Sequence, residues 1–259
     1  MTSLTLSERL NRVLPPEHPA LIIPMDHGLS LGAIPGLEHP AHLLSRLSAA
    51  QVDGTLMSAG VAKQLGAQAK KANMSLSITA DDQYWGPRPG TPENIRGVLT
   101  VSSVNRAESL GADAYKLIMG WGLPDEVMQQ NLKITAQAAE AAHTAGIPLM
   151  LEPLWFGDPL SPDEHDQVIL HAARIAWEYG ADILKIPAVS LPVLKKILLW
   201  GVPTVFLGGA KSGDPQQLLD RIRDGVQAGA RGVVVGRNVW QSPDMDAMIA
   251  RLREALGRT

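Results

Sequence analysis

The chain has 259 residues, 45% of them hydrophobic and 19% charged, which suits one large globular domain with a sizeable core and excludes a disordered or fibrous polymer. Its 26 acidic and 23 basic residues are spread along the sequence and leave a formal charge of −3, so no basic footprint is offered to a nucleic-acid backbone. With no cysteine, a disulfide framework, a thiolate zinc site and a thiol nucleophile are excluded together.

Residues 1–20, MTSLTLSERLNRVLPPEHPA, read as a polar helical extension stopped by Pro15 and Pro16. They form no apolar signal segment, and no run approaches the roughly 18 apolar residues of a membrane span. A cytoplasmic protein with neither a nucleic-acid nor a membrane partner is expected. Beyond this point short apolar runs alternate with longer amphipathic stretches, the pattern of βα units around a parallel sheet. In chain order the strands are predicted at 21–25, 54–57, 75–79, 114–119, 148–151, 182–186, 204–207 and 232–235. Helices are predicted at 39–50, 94–110, 125–144, 163–179, 193–199 and 215–228, with a closing helix at 244–256. The phrases LGADAYKL, YGADILKI and AGARGVVV each end a helix and restart a strand, and their glycine suits a left-handed C-cap and a tight turn. Eight such units, with no G-x-G-x-x-G after the first strand, favour a closed (β/α)8 barrel over an open doubly wound sheet. No linker divides the chain, so residues 1–259 are expected to form a single barrel domain.

The active site of such a barrel lies at the C-terminal ends of its strands, which makes the polar residues there the candidates. Asp26 follows LIIPM, Lys116 interrupts AYKLIM, Glu152 ends PLMLE and Lys185 interrupts DILKIP. Alternation along a strand points the two lysines into the barrel while their apolar neighbours pack on helices. Two buried ammonium groups with two carboxylates can balance their own charge, but no core selects that set for stability. Crowding of the ammonium groups is expected to lower one lysine from about 10.4 toward roughly 7–8, freeing an amine to attack a carbonyl. Lys185 would then form an iminium with a ketone, an electron sink for cleavage of the adjacent C–C bond. Glu152 would carry the protons of carbinolamine and iminium formation, Asp26 would take the hydroxyl proton, and Lys116 would keep the carboxylates ionised and orient substrate oxygens. Each has a plainer reading: Asp26 as a helix cap, Lys116 as a snorkelling side chain, and Glu152 as an ion-pair partner.

In the last third, VFLGGAKSG and VVVGRNVW end strands seven and eight, where barrels of this kind frequently bind phosphate. Gly208, Gly209 and Gly236 permit close backbone approach and Arg237 adds a forked cationic contact, unless the glycines serve turns alone. A phosphorylated sugar or triose fits. His27, beside Asp26, reads as a hydrogen-bonded orienting residue, and without a matching His/Asp/Glu cluster no metal is assigned. After strand three, Asp81, Asp82, Tyr84, Trp85 and Arg88 fall in a loop expected to lie over the mouth. Arg88 is a candidate for a second phosphate or a carboxylate, although loop decoration is an equal reading.

At these residues the chain resembles the class I (Schiff-base) aldolases of phosphorylated sugars. It is most similar to the archaeal-type fructose-bisphosphate aldolases and their aminodideoxyheptulosonate synthase relatives. PMDHGLSLGAIPGL resembles that group's opening strand and loop, DILKIP its Schiff-base strand, and GARGVVVGRNVWQ its phosphate-binding end, matches that run from Ile22 to Gln241. The resemblance implies a (β/α)8 barrel, a Schiff base on Lys185, proton transfer by Asp26, phosphate contacts from Gly209, Gly236 and Arg237, no cofactor, and a homo-oligomer. The placement of Lys116 and Glu152 on strands four and five is also similar to that in the animal-type and tagatose-bisphosphate aldolases, which implies that the pair assists the iminium lysine. The archaeal-type enzymes have a tyrosine shortly after strand five, where this chain has Leu154 and Trp155, and the proton-handling role passes to Glu152. Rival readings are a lyase of keto-deoxy-sugar phosphates, a transaldolase, a thiolase-like acyl transferase, and a non-catalytic phosphosugar-binding barrel, which would have no use for a lysine inside the ring.

Overall fold

The computed structural model describes residues 4–84, 86–88, 95–209 and 215–258. Its strands are β1 (Ala20–Pro24), β2 (Gly54–Ser58), β3 (Ser75–Thr79), β4 (Asp81–Tyr84), β5 (Gly97–Thr100), β6 (Ala114–Trp121), β7 (Leu149–Trp155), β8 (Ile183–Ile186), β9 (Thr204–Leu207) and β10 (Gly232–Val234). Eight of them close in the order β1-β10-β9-β8-β7-β6-β3-β2, every pairing is parallel, and β4 and β5 form a separate antiparallel pair. This is the predicted (β/α)8 barrel, and its eight strands fall where the apolar runs placed them.

Alternation sorts the side chains into two layers. Ala20, Ile22, Leu56, Ala114, Met150, Ile183, Val205 and Val234 face inward and form the barrel floor, joined by Val13 and Leu14 from the end of the helix Leu6–Val13, which plugs the bottom. Their neighbours Leu21, Ile23, Met57, Leu76, Leu117, Leu151 and Leu184 point outward into the shell of helices. Because the side-chain period is two, the next inward positions above Ala114, Met150 and Ile183 are Lys116, Glu152 and Lys185. The apolar floor and the polar site are therefore successive layers of one interior.

The turns below the barrel share one device. Asp53 accepts the Leu21 N–H at 2.7 Å, Asp113 that of Leu76 at 2.9 Å, and Asp182 that of Leu149 at 2.8 Å. Each aspartate lies just before one strand and satisfies a donor near the start of its neighbour, which accounts for the Asp of the repeated GAD phrase. At the closing seam Gly232 stands opposite Ala20 with φ +146°. A Cβ there would overlap the Ala20 carbonyl and lie 2.6 Å from its nitrogen, so only glycine lets the first and last strands meet.

One prediction fails. Residues 94–110 do not form one helix: residue 94 lies outside the described residues, Gly97–Thr100 is the strand β5, and the helix is confined to Val104–Ser109. The run Val98-Leu99-Thr100-Val101 is suited to extended backbone, and the Ser103 side chain accepts the Arg106 N–H to start the helix only afterwards. Strands β6 and β7 run longer than predicted because they pair as far as Trp121 and Trp155, which places Leu154 and Trp155 within β7 rather than after it. No helix among the described residues is long and apolar enough to cross a membrane.

Candidate active site

Strands β6, β7 and β8 bring three buried side chains into one chain of contacts at the barrel mouth. Glu152 Oε2 lies 2.8 Å from Lys116 Nζ, and Glu152 Oε1 lies 2.9 Å from Lys185 Nζ. Each carboxylate oxygen thus takes one ammonium. Lys116 is shared with a third strand end, since Asp81 approaches its nitrogen at 3.2 Å and 3.3 Å while Asp81 Oδ1 also accepts the Ile118 N–H at 3.0 Å. Across the ring Thr79 donates to Asp26 Oδ2 at 2.6 Å, and His27 Nδ1 lies 3.3 Å from Asp26 Oδ1. The His27 ring meets Trp240 edge to face at 5.5 Å.

The electrostatics follow from burial and from the count of neighbours. Burial alone would drive the Lys116 pKa down, but the carboxylates of Asp81, Glu152 and Asp26 outweigh it and hold the group well above the ordinary lysine value. The expected lowering of a crowded lysine is therefore not what Lys116 shows; it stays an ammonium because it has more carboxylate partners than ammonium neighbours. Burial pushes Glu152 up, yet the two lysines pull it further down, so it is ionised. Burial likewise acts to raise Asp26, and His27 with Lys116 and Lys185 overcomes it and holds this carboxyl well below the usual range. Asp81 differs. Burial raises its pKa and Lys116 only partly offsets that, with the charge of Glu152 adding to the rise.

These groups line a cavity of about 80 Å³ together with Ser30, Leu31, Gln83 and Ile118. It adjoins a second chamber of about 290 Å³, which shares His27, Leu31, Gln83, Glu152 and Lys185 with it and extends to Gly208, Gly209, Gly236 and Arg237. The amine and the glycine-rich corner therefore face one continuous space. A Cβ on Gly208 would stand 2.9 Å from Val235, and one on Gly236 would stand 3.0 Å from Pro24, so backbone rather than side chain forms that wall. Gly209 takes φ +68°, open to glycine at little cost. Among the described residues Arg237 Nε is buried without a hydrogen-bond partner, and burial lowers the pKa of its guanidinium. A separate, mainly apolar hollow of about 230 Å³ lies between the helices Leu191–Leu198 and Pro215–Gln227, outside the ring, and contains none of the strand-end acids or lysines.

Of the predicted site residues, Asp26, His27, Lys116, Glu152, Lys185, Gly208, Gly209, Gly236 and Arg237 all line these two chambers. Arg88 does not: it is exposed on the loop beyond β4 and is not among the described residues that line either space. Asp82 and Tyr84 alternate with Asp81 and Gln83 along β4 and do not line the chambers, and Trp85 lies outside the described residues. Leu154 and Phe156 face the larger chamber, whereas Trp155 turns its indole N–H to the Asp158 carbonyl. Two contributors were not picked out from sequence as part of the cluster. Thr79 and Asp81 continue the inward phase of β3 from Ser77, a two-residue alternation that was readable but hidden by assigning Asp81 to an irregular loop.

Fold and site together define a (β/α)8 barrel enzyme with an amine and carboxylates buried at its mouth. Residues 20–242 match the DeoC/LacD family aldolases, and the chain belongs to that family. It is 32% identical to the 2-amino-3,7-dideoxy-D-threo-hept-6-ulosonate synthase of Halobacterium salinarum over 97% of this chain and 91% of the relative. It is 29% identical to an uncharacterized aldolase of Saccharolobus solfataricus, over 92% of this chain and 89% of the relative. Among solved structures, a Schiff-base-forming fructose-1,6-bisphosphate aldolase superposes with a TM-score of 0.82 at 24% identity, covering 97% of this chain and 100% of that one. The expectation of an aldolase on a (β/α)8 barrel stands.

Proposed function

We propose that the protein is a class I aldolase that makes or breaks a C–C bond of a phosphorylated ketose through a Schiff base on Lys185. The observation that carries this is the placement of Glu152 between Lys116 and Lys185, in a cavity that opens onto the Arg237 corner. The ionised Glu152 takes a proton from the Lys185 ammonium along their 2.9 Å contact, and the freed amine adds to the ketone carbon. Glu152 returns the proton to the carbinolamine hydroxyl, which leaves as water and yields the iminium. Asp26, kept ionised, removes the proton from the hydroxyl on the carbon beyond the scissile bond. The electrons of that bond move into the iminium, giving an enamine and an aldehyde. Protonation and hydrolysis then release the second product and restore Lys185. Lys116, held charged, orients substrate oxygens throughout, and the phosphate rests against Gly209, Gly236 and Arg237.

The name of the Halobacterium relative favours a second reading, in which the same iminium chemistry builds a deoxy-keto sugar chain rather than cleaving one. Cytoplasmic residence and homo-oligomeric assembly belong to the proposal and rest on the composition and resemblance of the sequence. The test is trapping. Incubation with dihydroxyacetone phosphate and borohydride should give a covalent adduct at Lys185 by mass spectrometry, and no adduct with any phosphorylated ketone would leave a binding protein as the better reading. No step calls on a metal, so chelator-treated enzyme should turn over as untreated enzyme does.

A further inference from the structure

The two chambers flanking Lys185 are unequal in size and opposite in character. The side toward β9 and β10 holds about 290 Å³, a glycine-built wall and the Arg237 guanidinium. The other side, toward β1, β3 and β6, holds about 80 Å³, less than a third as much, and is lined by Asp26, Asp81, Glu152, Ile118, Gln83 and Ser30. Among the described residues its lysines are Lys116 and Lys185, each already in contact with a carboxylate, and its one imidazole, His27, stands 3.3 Å from Asp26.

In the Schiff-base scheme the ketone half of the substrate stays on Lys185, while the aldehyde half lies by Asp26, which must reach its hydroxyl. Cleavage of a hexulose bisphosphate at its middle bond yields two triose phosphates of equal size and charge, and a site built for it needs an anion-ready space on each side. A second phosphate here would meet the carboxylates of Asp26 and Asp81 across a small cavity, with its charge repelled rather than compensated. We infer that the aldehyde partner is short and uncharged, so that the ketose is a monophosphate whose phosphate sits at the iminium end. This inference rests on the Schiff-base reading above and names its substrate class.

Cleavage of fructose 1-phosphate and fructose 1,6-bisphosphate by the full chain, run beside borohydride trapping with dihydroxyacetone phosphate, tests it. The expected result is a Lys185 adduct and a kcat/KM for the monophosphate higher by about tenfold or more. A Ser30→Arg variant, which adds a cation to the lining of the small chamber and not to that of the larger one, should narrow that ratio. A Lys185 adduct together with equal or faster cleavage of the bisphosphate overturns this inference and leaves the Schiff-base reading intact. If the Arg88→Ala variant then loses the bisphosphate activity, the loop guanidinium supplies the second anion site and the inference is likewise overturned. Absence of any adduct removes both.

Discussion

Asp81 clamps Lys116 onto its own strand: one carboxylate meets the lysine nitrogen at 3.2 Å and the N–H of Ile118, two residues further along β6, at 3.0 Å. The side chain and the backbone of β6 are thereby fixed by a residue from the hairpin that follows β3. An Asp81→Asn variant keeps an acceptor for Ile118 but removes the charge. Lys116 then loses a carboxylate that holds its pKa up, and the alkaline limb of the pH–rate profile should move to lower pH. Activity at neutral pH should fall on the order of 10²-fold through misplacement of Lys116, with the thermal midpoint recorded to show that the fold persists. An unmoved alkaline limb would mean that Asp81 is only a structural tether.

Lys185→Met is expected to abolish turnover and borohydride adduct formation while leaving the far-UV spectrum unchanged. Methionine fills the same unbranched stem, and Glu152 keeps its Lys116 partner at 2.8 Å, so no buried carboxylate is left alone. Residual turnover at the wild-type rate would place the reactive amine elsewhere.

Acid stability should depend on Asp26. Its folded-state pKa is depressed below an unfolded value of about 3.9, so its contribution is complete above that pH and is lost progressively as the pH falls from there through the lower folded-state value. Glu152 contributes with the same sign. Asp81, whose pKa is raised, contributes with the opposite sign, because protonation relieves its burial. The thermal midpoint should drop below about pH 4 in wild type and less steeply in Asp26→Asn. Parallel curves for the two proteins would show that the carboxyl is not held by its neighbours.

Arg237→Ala should raise KM for phosphorylated ketones by about 10- to 100-fold, the worth of a lost charge-assisted hydrogen bond. Borohydride trapping of unphosphorylated dihydroxyacetone should be unaffected. Equal losses with both ketones would remove the phosphate role from this corner.

Gly232→Ala tests the seam of the barrel. The added methyl would overlap the Ala20 backbone at φ +146°, and strain with overpacking should cost about 2–5 kcal/mol, read from urea denaturation. An unchanged denaturation midpoint would mean that β1 and β10 can separate without consequence.

Much of the site was legible because strand alternation is local. Lys116, Glu152 and Lys185 stand two residues beyond Ala114, Met150 and Ile183, and an apolar floor followed by a charged position is visible in the linear text. The glycine-rich ends of β9 and β10 were readable for the same reason. Asp81 escaped because its neighbours look like a Gly/Pro loop, whereas the chain there continues into β4 and folds back as β5. The helix expected at 94–110 failed in the same stretch, where the extended preference of Val98–Val101 outweighed a helical spacing of apolar residues.

The order of eight βα units and the inward placement of Lys116, Glu152 and Lys185 were legible in the sequence alone, since a two-residue period needs no distant partner. Which charge meets which was decided only by tertiary structure. The Lys116 contact with Asp81 spans 35 residues, and Glu152 comes to lie between two lysines from strands on either side of its own. Ring closure sets those neighbours, and in a buried, weakly screened space the neighbours determine which groups carry charge.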